Sequence, residues 1–199
     1  MEFKDILQKR YASRSYTSES IPEEKIETLL DLIRWTPSGL NIQPWRIRVV
    51  RELAVKQAIM AAAWSQPQVA SCSHLLVLCA DVDLERHLGK LGEAQVRAGI
   101  PESDRKWAIE HIKGIIGRLP GDKFAAFAEN QVFLALATAL YGAASLGIDA
   151  CPMTGFDPAQ VAKVLVLPAH VKPTALCPLG YGTDRPSIRV RFAKDDILI

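Results

Sequence analysis

None of the four cysteines, Cys72, Cys79, Cys151 and Cys177, stands in a CxxC pair, and each lies among apolar or small residues. That excludes a thioredoxin-like redox motif and the common zinc spacings, and no metal site is read from the chain. The spacing fits buried, reduced thiols acting as small hydrophobes. No excess of one charge exists: 24 basic against 22 acidic side chains leave a net +2, too little to argue for nucleic acid or an anionic membrane as partner. The opening MEFKDILQKR has acidic residues and no long apolar run, so no signal peptide is read and a cytoplasmic location is expected. Repeats, low-complexity runs and linkers are also missing, so residues 1–199 are expected to form one domain. Finally, no GxGxxG follows a strand, which argues against a Rossmann nucleotide site.

One absence points the other way. From Asn130 to Ile148 the chain carries no charge for 19 residues, close to the length of a membrane span. The stretch is rich in Ala, Gly, Ser and Thr, holds Gln131, and lacks the sustained Leu, Ile and Phe that favour insertion. It is expected to be the central helix of a soluble core rather than a membrane anchor.

With 49% apolar and 23% charged residues, the chain has the make-up of a globular protein with a large core. Helical periodicity runs through 2–10 and through IPEEKIETLLDLIRW, where Ser20 is the expected cap and Pro22 suits the first turn. TPSGLNIQPW is a loop by its turn residues. WRIRVVR alternates as a strand, 53–63 returns to helix, and HLLVLCA is a continuous apolar strand for a sheet covered on both faces. Polar helical stretches follow at 83–98 and 103–118. A long helix runs from about 122 to 146, closed by Gly147. DACPM, a helix capped by Asp157, and TALCPLGYG complete the pattern. Few strands among many uneven helices imply a three-layer α/β or α+β fold around a small central sheet.

Four polar constellations stand out. In KRYASRSY, Arg10 and Arg14 flank Ser13, and guanidinium forks with hydroxyls suit phosphate oxygens; a solvated helix end has the same composition. In PSGLNIQPW, Ser38, Asn41 and Gln43 offer donors and acceptors around Gly39, ahead of the wall of Trp45, a lining that suits a flat heteroaromatic ring. MTGFD places Thr154 and Gly155 on a strand-to-helix turn whose backbone a ligand can approach. Arg189 and Arg191, two apart, share one side of an extended tail.

KRYASRSY, RWTPSGLNIQPWRIRVV, LGIDACPMTGFDP and a basic tail, in this order, resemble the FMN-dependent nitroreductase family over nearly the whole chain, most weakly at 82–120. The resemblance implies the nitroreductase-like fold, with a small central mixed sheet flanked by helices in an intertwined homodimer. It implies FMN at the dimer interface, with NADH or NADPH as electron donor. Hydride would pass through the flavin's N5 to a small oxidised acceptor, a nitroaromatic or quinone, by a ping-pong route that needs no catalytic side chain. Same-fold alternatives are reductive dehalogenation, flavin cleavage, or a flavin-binding protein without enzymatic activity.

By the same resemblance, Arg10 holds the FMN phosphate with Ser13, Arg189 and Arg191, and Arg14 lies at the pyrimidine edge of the ring. Pro37, Ser38, Gly39 and Asn41 come from the other subunit. Backbone donors of Thr154 and Gly155 face N5, and Ser65, Gln68 and, more weakly, Gln131 reach the ring or ribityl chain. Segment 82–120 is a variable helical lid in which Trp107 and Ile112 set acceptor choice, or else a packed helix pair. Ala12 and Thr154 depart from the family, which often has serine and glutamate there.

Overall fold

The structure, a computed structural model, describes residues 2–119, 123–184 and 188–199. Its centre is β2 (His74–Asp81), buried along its whole length, as its unbroken apolar run requires. To one side lies β1 (Trp45–Val50); to the other β4 (Val171–Gly180) and then the two-residue β3 (Asp149–Ala150), in the order β1-β2-β4-β3. All three ladders are antiparallel. The mixed character expected of the sheet is confined, among the described residues, to one parallel bridge, Ala12 with Ala150.

The alternation of side chains along β2 and β4 sorts the core into two layers. Leu76, Leu78 and Ala80 of β2, with Ala175, Cys177 and Leu179 of β4, face a cluster built on α2 (Glu23–Arg34) and α7 (Lys123–Ser145). Leu75, Val77 and Cys79, with Leu176, face the opposite cluster. There they meet α3 (Leu53–Ala62), the short α4 (Gln68–Ser71), for which the sequence carried no recognised signal, and α8 (Pro158–Val164). A third cluster joins α5 (Leu84–Arg97) to α6 (Glu102–Ile116) through Leu88, Leu91, Ile112 and Ile116, closed by Ile42. Helix α1 (Phe3–Lys9) lies beside α7, where Phe3 meets Tyr141 edge to face at 5.6 Å.

Most local punctuation acts as its chemistry dictates. The Asp157 carboxylate accepts from the amides of Ala159 and Gln160, and the Asp83 side chain caps α5 through the amide of Arg86. Gly147 takes φ 73° just past α7. Ser20 does not cap α2: Pro22 holds that position, and the Ser20 hydroxyl lies 3.5 Å from that of Ser73 instead. Phe124–Ser145 is long and apolar enough to cross a membrane. The helix is not enclosed all round, as its composition led us to expect. Ala128, Val132, Ala135, Ala139 and Ala143 form one buried stripe whose small side chains let it press on the sheet, while Phe133 and Leu134 remain exposed.

Candidate functional site

The polar constellations gather into two regions. The first is built where the chain leaves α1. Residues 12–16 run beside β3 and the end of β4, tied by the Ala12–Ala150 and Tyr16–Gly182 bridges. Arg10 sits at the end of α1, half-buried, beside a cleft of about 340 Å³ between α1, the end of α7 and β3. One terminal nitrogen of its guanidinium, Nη1, is buried with no hydrogen-bond partner among the described residues. A cationic donor left unsatisfied in that way calls for an anion.

Ser13 turns inward. It is fully buried, and its hydroxyl donates to the Asp184 carboxylate at 2.5 Å, with the Ser15 carbonyl oxygen 3.0 Å away. The second Asp184 oxygen accepts from the Arg14 amide at 2.9 Å, and the Arg14 side chain is exposed. Burial alone would raise the Asp184 carboxyl, but the bonds from Ser13 and Arg14 outweigh it and hold the group below the usual carboxylate range. Asp184 therefore clamps the segment that carries both arginines, and Ser13 spends its proton on that clamp. The sequence offered no signal for Asp184, which stands 171 positions from Ser13.

From the tail, Arg189 donates to the Arg10 carbonyl at 2.7 Å, which brings its charge to the same cleft region. Arg191 bonds its neighbour, the Val190 carbonyl, at 2.7 Å, and the two arginines line a second opening with Leu7 and Gln8.

Contiguous with this region, through Cys151 and Met153, lies the MTG turn. Met153 pairs with Leu176 of β4, which fixes where Thr154 and Gly155 emerge. Among the described residues neither the Thr154 nor the Gly155 amide has an acceptor. Trp64 and Ser65, both in the left-handed region at φ 53° and 58°, bring the 62–68 loop against this turn. A Cβ at position 155 would come within 2.6 Å of the Trp64 ring, so any side chain there would push the ring aside. The Gln66 side chain donates to the Gly155 carbonyl at 3.0 Å. Gln68 is buried, and its amide is occupied by Gln66 Oε1 at 3.1 Å and Met153 Sδ at 3.7 Å. Gln68 thus braces the turn, whereas Ser65 is exposed.

The second region is the PSGLN loop. Leu40, Asn41 and Gln43 all have φ between 52° and 57°, a strained run for residues with side chains. Three contacts hold it. Gln131 Oε1 accepts from the Gly39 amide at 2.8 Å, Ser38 Oγ accepts from the Gln43 amide at 2.9 Å, and the Gln43 side-chain amide donates to Asn41 Oδ1 at 3.1 Å. Gln131 is therefore the anchor of the loop. Within one chain the two regions stay apart. The loop rests on Gln131, and the Arg10 cleft on Ala144, 13 residues further along α7, which at 1.5 Å per residue is roughly 20 Å.

The lid residues separate. Ile112, only 4% exposed, is packed into the α5–α6 cluster and offers no surface to an acceptor, which corrects its expected role; its helical neighbours simply required an apolar partner. Trp107 is 67% exposed, stacked on His111 at 4.8 Å. The thiols of Cys72 and Cys79, pushed up to about 11 and 12 by burial, and of Cys177, pushed up further, take no part as nucleophiles. Among the described residues no cluster of His, Cys, Asp and Glu could hold a metal ion.

A small antiparallel sheet between helical layers, with unsatisfied cationic and amide donors along one seam, defines a class of protein able to hold an anionic ligand. The chain belongs to the nitroreductase family, whose profile matches residues 7–181. An NADH dehydrogenase of Thermus thermophilus is 33% identical over 96% of this chain and 92% of its own length. The major NAD(P)H-flavin oxidoreductase of Aliivibrio fischeri is 28% identical over 79% of this chain and 77% of its own. An Exiguobacterium sibiricum protein solved in complex with FMN superposes with a TM-score of 0.90 at 23% identity, over 100% of this chain and 97% of that one, a likeness of fold. The chain is thus an oxidoreductase of this family, with the three-layer fold that its sequence implied.

Proposed function

We propose that this chain is an FMN-dependent oxidoreductase that takes hydride from NADH or NADPH and delivers it to a small oxidised acceptor, a nitroaromatic or quinone, in alternating half-reactions. It works as a single-domain chain in a soluble, cytoplasmic homodimer. The observation that carries this reading is the buried, unpartnered Nη1 of Arg10 beside the 340 Å³ cleft. A phosphate is the group such a donor lacks, and Arg189 adds a second positive charge there. Bound FMN supplies a ring able to accept a hydride and to give it up.

The protein's own residues bind, orient and exclude water. Arg10, Arg189 and Arg191 neutralise the phosphate. The exposed Arg14 guanidinium, its backbone clamped by Asp184, is free to place a fixed charge against the electron-rich edge of a reduced ring. The free amides of Thr154 and Gly155 donate to the reactive ring edge, on a turn braced by Gln66 and Gln68. No side chain is asked to act as general acid or base. Trp107, exposed on α6, borders the acceptor's entry.

Two features support the dimer. The PSGLN loop lies too far from Arg10 to serve the same site in one chain, so Pro37–Asn41 of one subunit complete the site of the other. The extended tail exposes Ile188, Val190 and Phe192 by 79–83%, and α7 exposes Phe133 and Leu134; these apolar groups need a partner surface.

The test is an absorbance spectrum of the purified protein before and after anaerobic addition of each nicotinamide, with size measured alongside. A yellow protein of twice 21.9 kDa that bleaches on addition is expected. A colourless protein that takes up no added FMN would end the reading, and a yellow one that neither nicotinamide bleaches would reduce it to a flavin carrier.

A further inference from the structure

Away from the seam that carries Arg10 and the MTG turn, a second cleft of about 250 Å³ opens between the start of β1 and helix α5. Its chemistry is one-sided. Arg46, Lys90 and Arg97 line it, and among the described residues no carboxylate does. Arg46 is already spoken for, since its Nε donates to the fully buried Asp81 at 2.9 Å. Lys90 and Arg97 take part in none of the ion pairs among the described residues. His87, which also lines the cleft, adds no charge near neutrality, because burial holds its imidazole below the ordinary value.

The spacing makes a seat of these cations. Lys90, Ala94 and Arg97 follow at intervals of four and three, so they share one face of α5, and the small Ala94 leaves a gap between the two charges. Across the gap stands the rigid 41–45 segment. Gln43 donates its side-chain amide to Asn41 Oδ1, which leaves Asn41 Nδ2 as a fixed donor at the rim, and Trp45, half-buried against the core, presents the rest of its indole to the cleft. Two cations unpaired among the described residues, a donor amide and the open part of an indole around 250 Å³ match a phosphate joined to a planar base.

We infer that this cleft binds the phosphate end of a nucleotide, with Lys90 and Arg97 on the phosphate and Trp45 against the base. Of the cleft's lining only Asn41 also belongs to the loop assigned to the partner's flavin; Lys90 and Arg97, which carry the inference, do not. Only the source of the phosphate depends on the flavin reading: the nicotinamide dinucleotide donor, or a free nucleotide acting as effector.

The probe is ADP, titrated calorimetrically into the purified dimer or monomer as isolated, at low and at 0.5 M salt. Wild type should bind, with affinity falling at high salt as screening requires. Lys90→Ala/Arg97→Ala should lose about tenfold or more, whereas the control Lys113→Ala on α6 should match wild type. The single variants Lys90→Gln and Arg97→Gln, which keep helix-forming side chains, carry the same test should the double variant fold poorly. In parallel, KM for NADH and NADPH is measured on the same variants. A KM rising with the loss of ADP identifies the donor as the source; a KM unmoved while ADP is lost identifies a free nucleotide. No ADP binding by wild type, or equal binding by the variants, overturns the inference. Loss of flavin with ADP binding retained would instead strike the flavin reading alone.

Discussion

Replacing Arg10 with alanine removes the one buried guanidinium nitrogen that has no hydrogen-bond partner among the described residues. The fold should survive. Arg10 closes α1 through its own amide to the Ile6 carbonyl at 3.0 Å and accepts Arg189 through its own carbonyl, and both contacts are backbone groups that alanine keeps. The loss falls on the ligand: a charge-assisted hydrogen bond contributes about 1.5–3 kcal/mol, or roughly 10- to 150-fold in FMN affinity. Apoprotein is titrated with FMN by fluorescence quenching, with thermal unfolding run beside it. Arg10→Lys should recover part of the affinity, since it restores the charge but not the planar fork. Trp107→Ala, a change at an exposed side chain that does not line the Arg10 cleft, should stay within about twofold of wild type. If Arg10→Ala bound FMN as tightly as Trp107→Ala does, the phosphate assignment would be refuted.

Three further outcomes follow from the contacts above. Gln131→Leu strips the Gly39 amide of its acceptor and should cost about 1–3 kcal/mol in urea unfolding, with faster proteolysis at 37–43; unchanged cleavage there would contradict the anchoring role. Gly182→Ala would place a Cβ 2.5 Å from Ser13 Oγ and 3.0 Å from Asp149 Oδ2. Overpacking of about 1–3 kcal/mol should lower the melting temperature by several degrees, and an unshifted melt would show that the clamp yields. His87 is held below its ordinary value of 6.5, first by burial, so the unfolded chain takes up the proton that the folded chain refuses. Stability should therefore fall as pH drops through 6.5, ahead of carboxylate protonation. His87→Gln should flatten that limb of the urea midpoint against pH, and an identical slope in the variant would assign it elsewhere.

Much of this protein could be read locally. The helical period of Ile26, Leu29 and Ile33, the cap at Asp157, the left-handed stop at Gly147 and the unbroken apolar run of β2 depend on residues a few positions apart. The arginine and amide clusters were visible in the same way, because donors suited to phosphate or a ring edge announce themselves by residue type. What those polar groups do with their hydrogen bonds was not visible. Gln131 and Gln68 look like ligand contacts in the sequence, and the fold uses them as braces as well; Ser13 gives its proton to a carboxylate that sequence reading had passed over.

The amino-acid order by itself determined most of the elements, several of their ends, the two-sided burial of the central strand and the inventory of cationic and amide donors. Tertiary structure alone decided that the sheet pairs antiparallel in the order β1-β2-β4-β3, that Ile112 is spent on packing, and that the PSGLN loop and the Arg10 cleft meet α7 at Gln131 and Ala144, far apart along the helix. The reason is range. Periodicity and capping act within a turn or two of chain, whereas the Ser13–Asp184 and Gly39–Gln131 bonds join groups 171 and 92 residues apart, and nothing in either neighbourhood specifies the other until the core has brought them together.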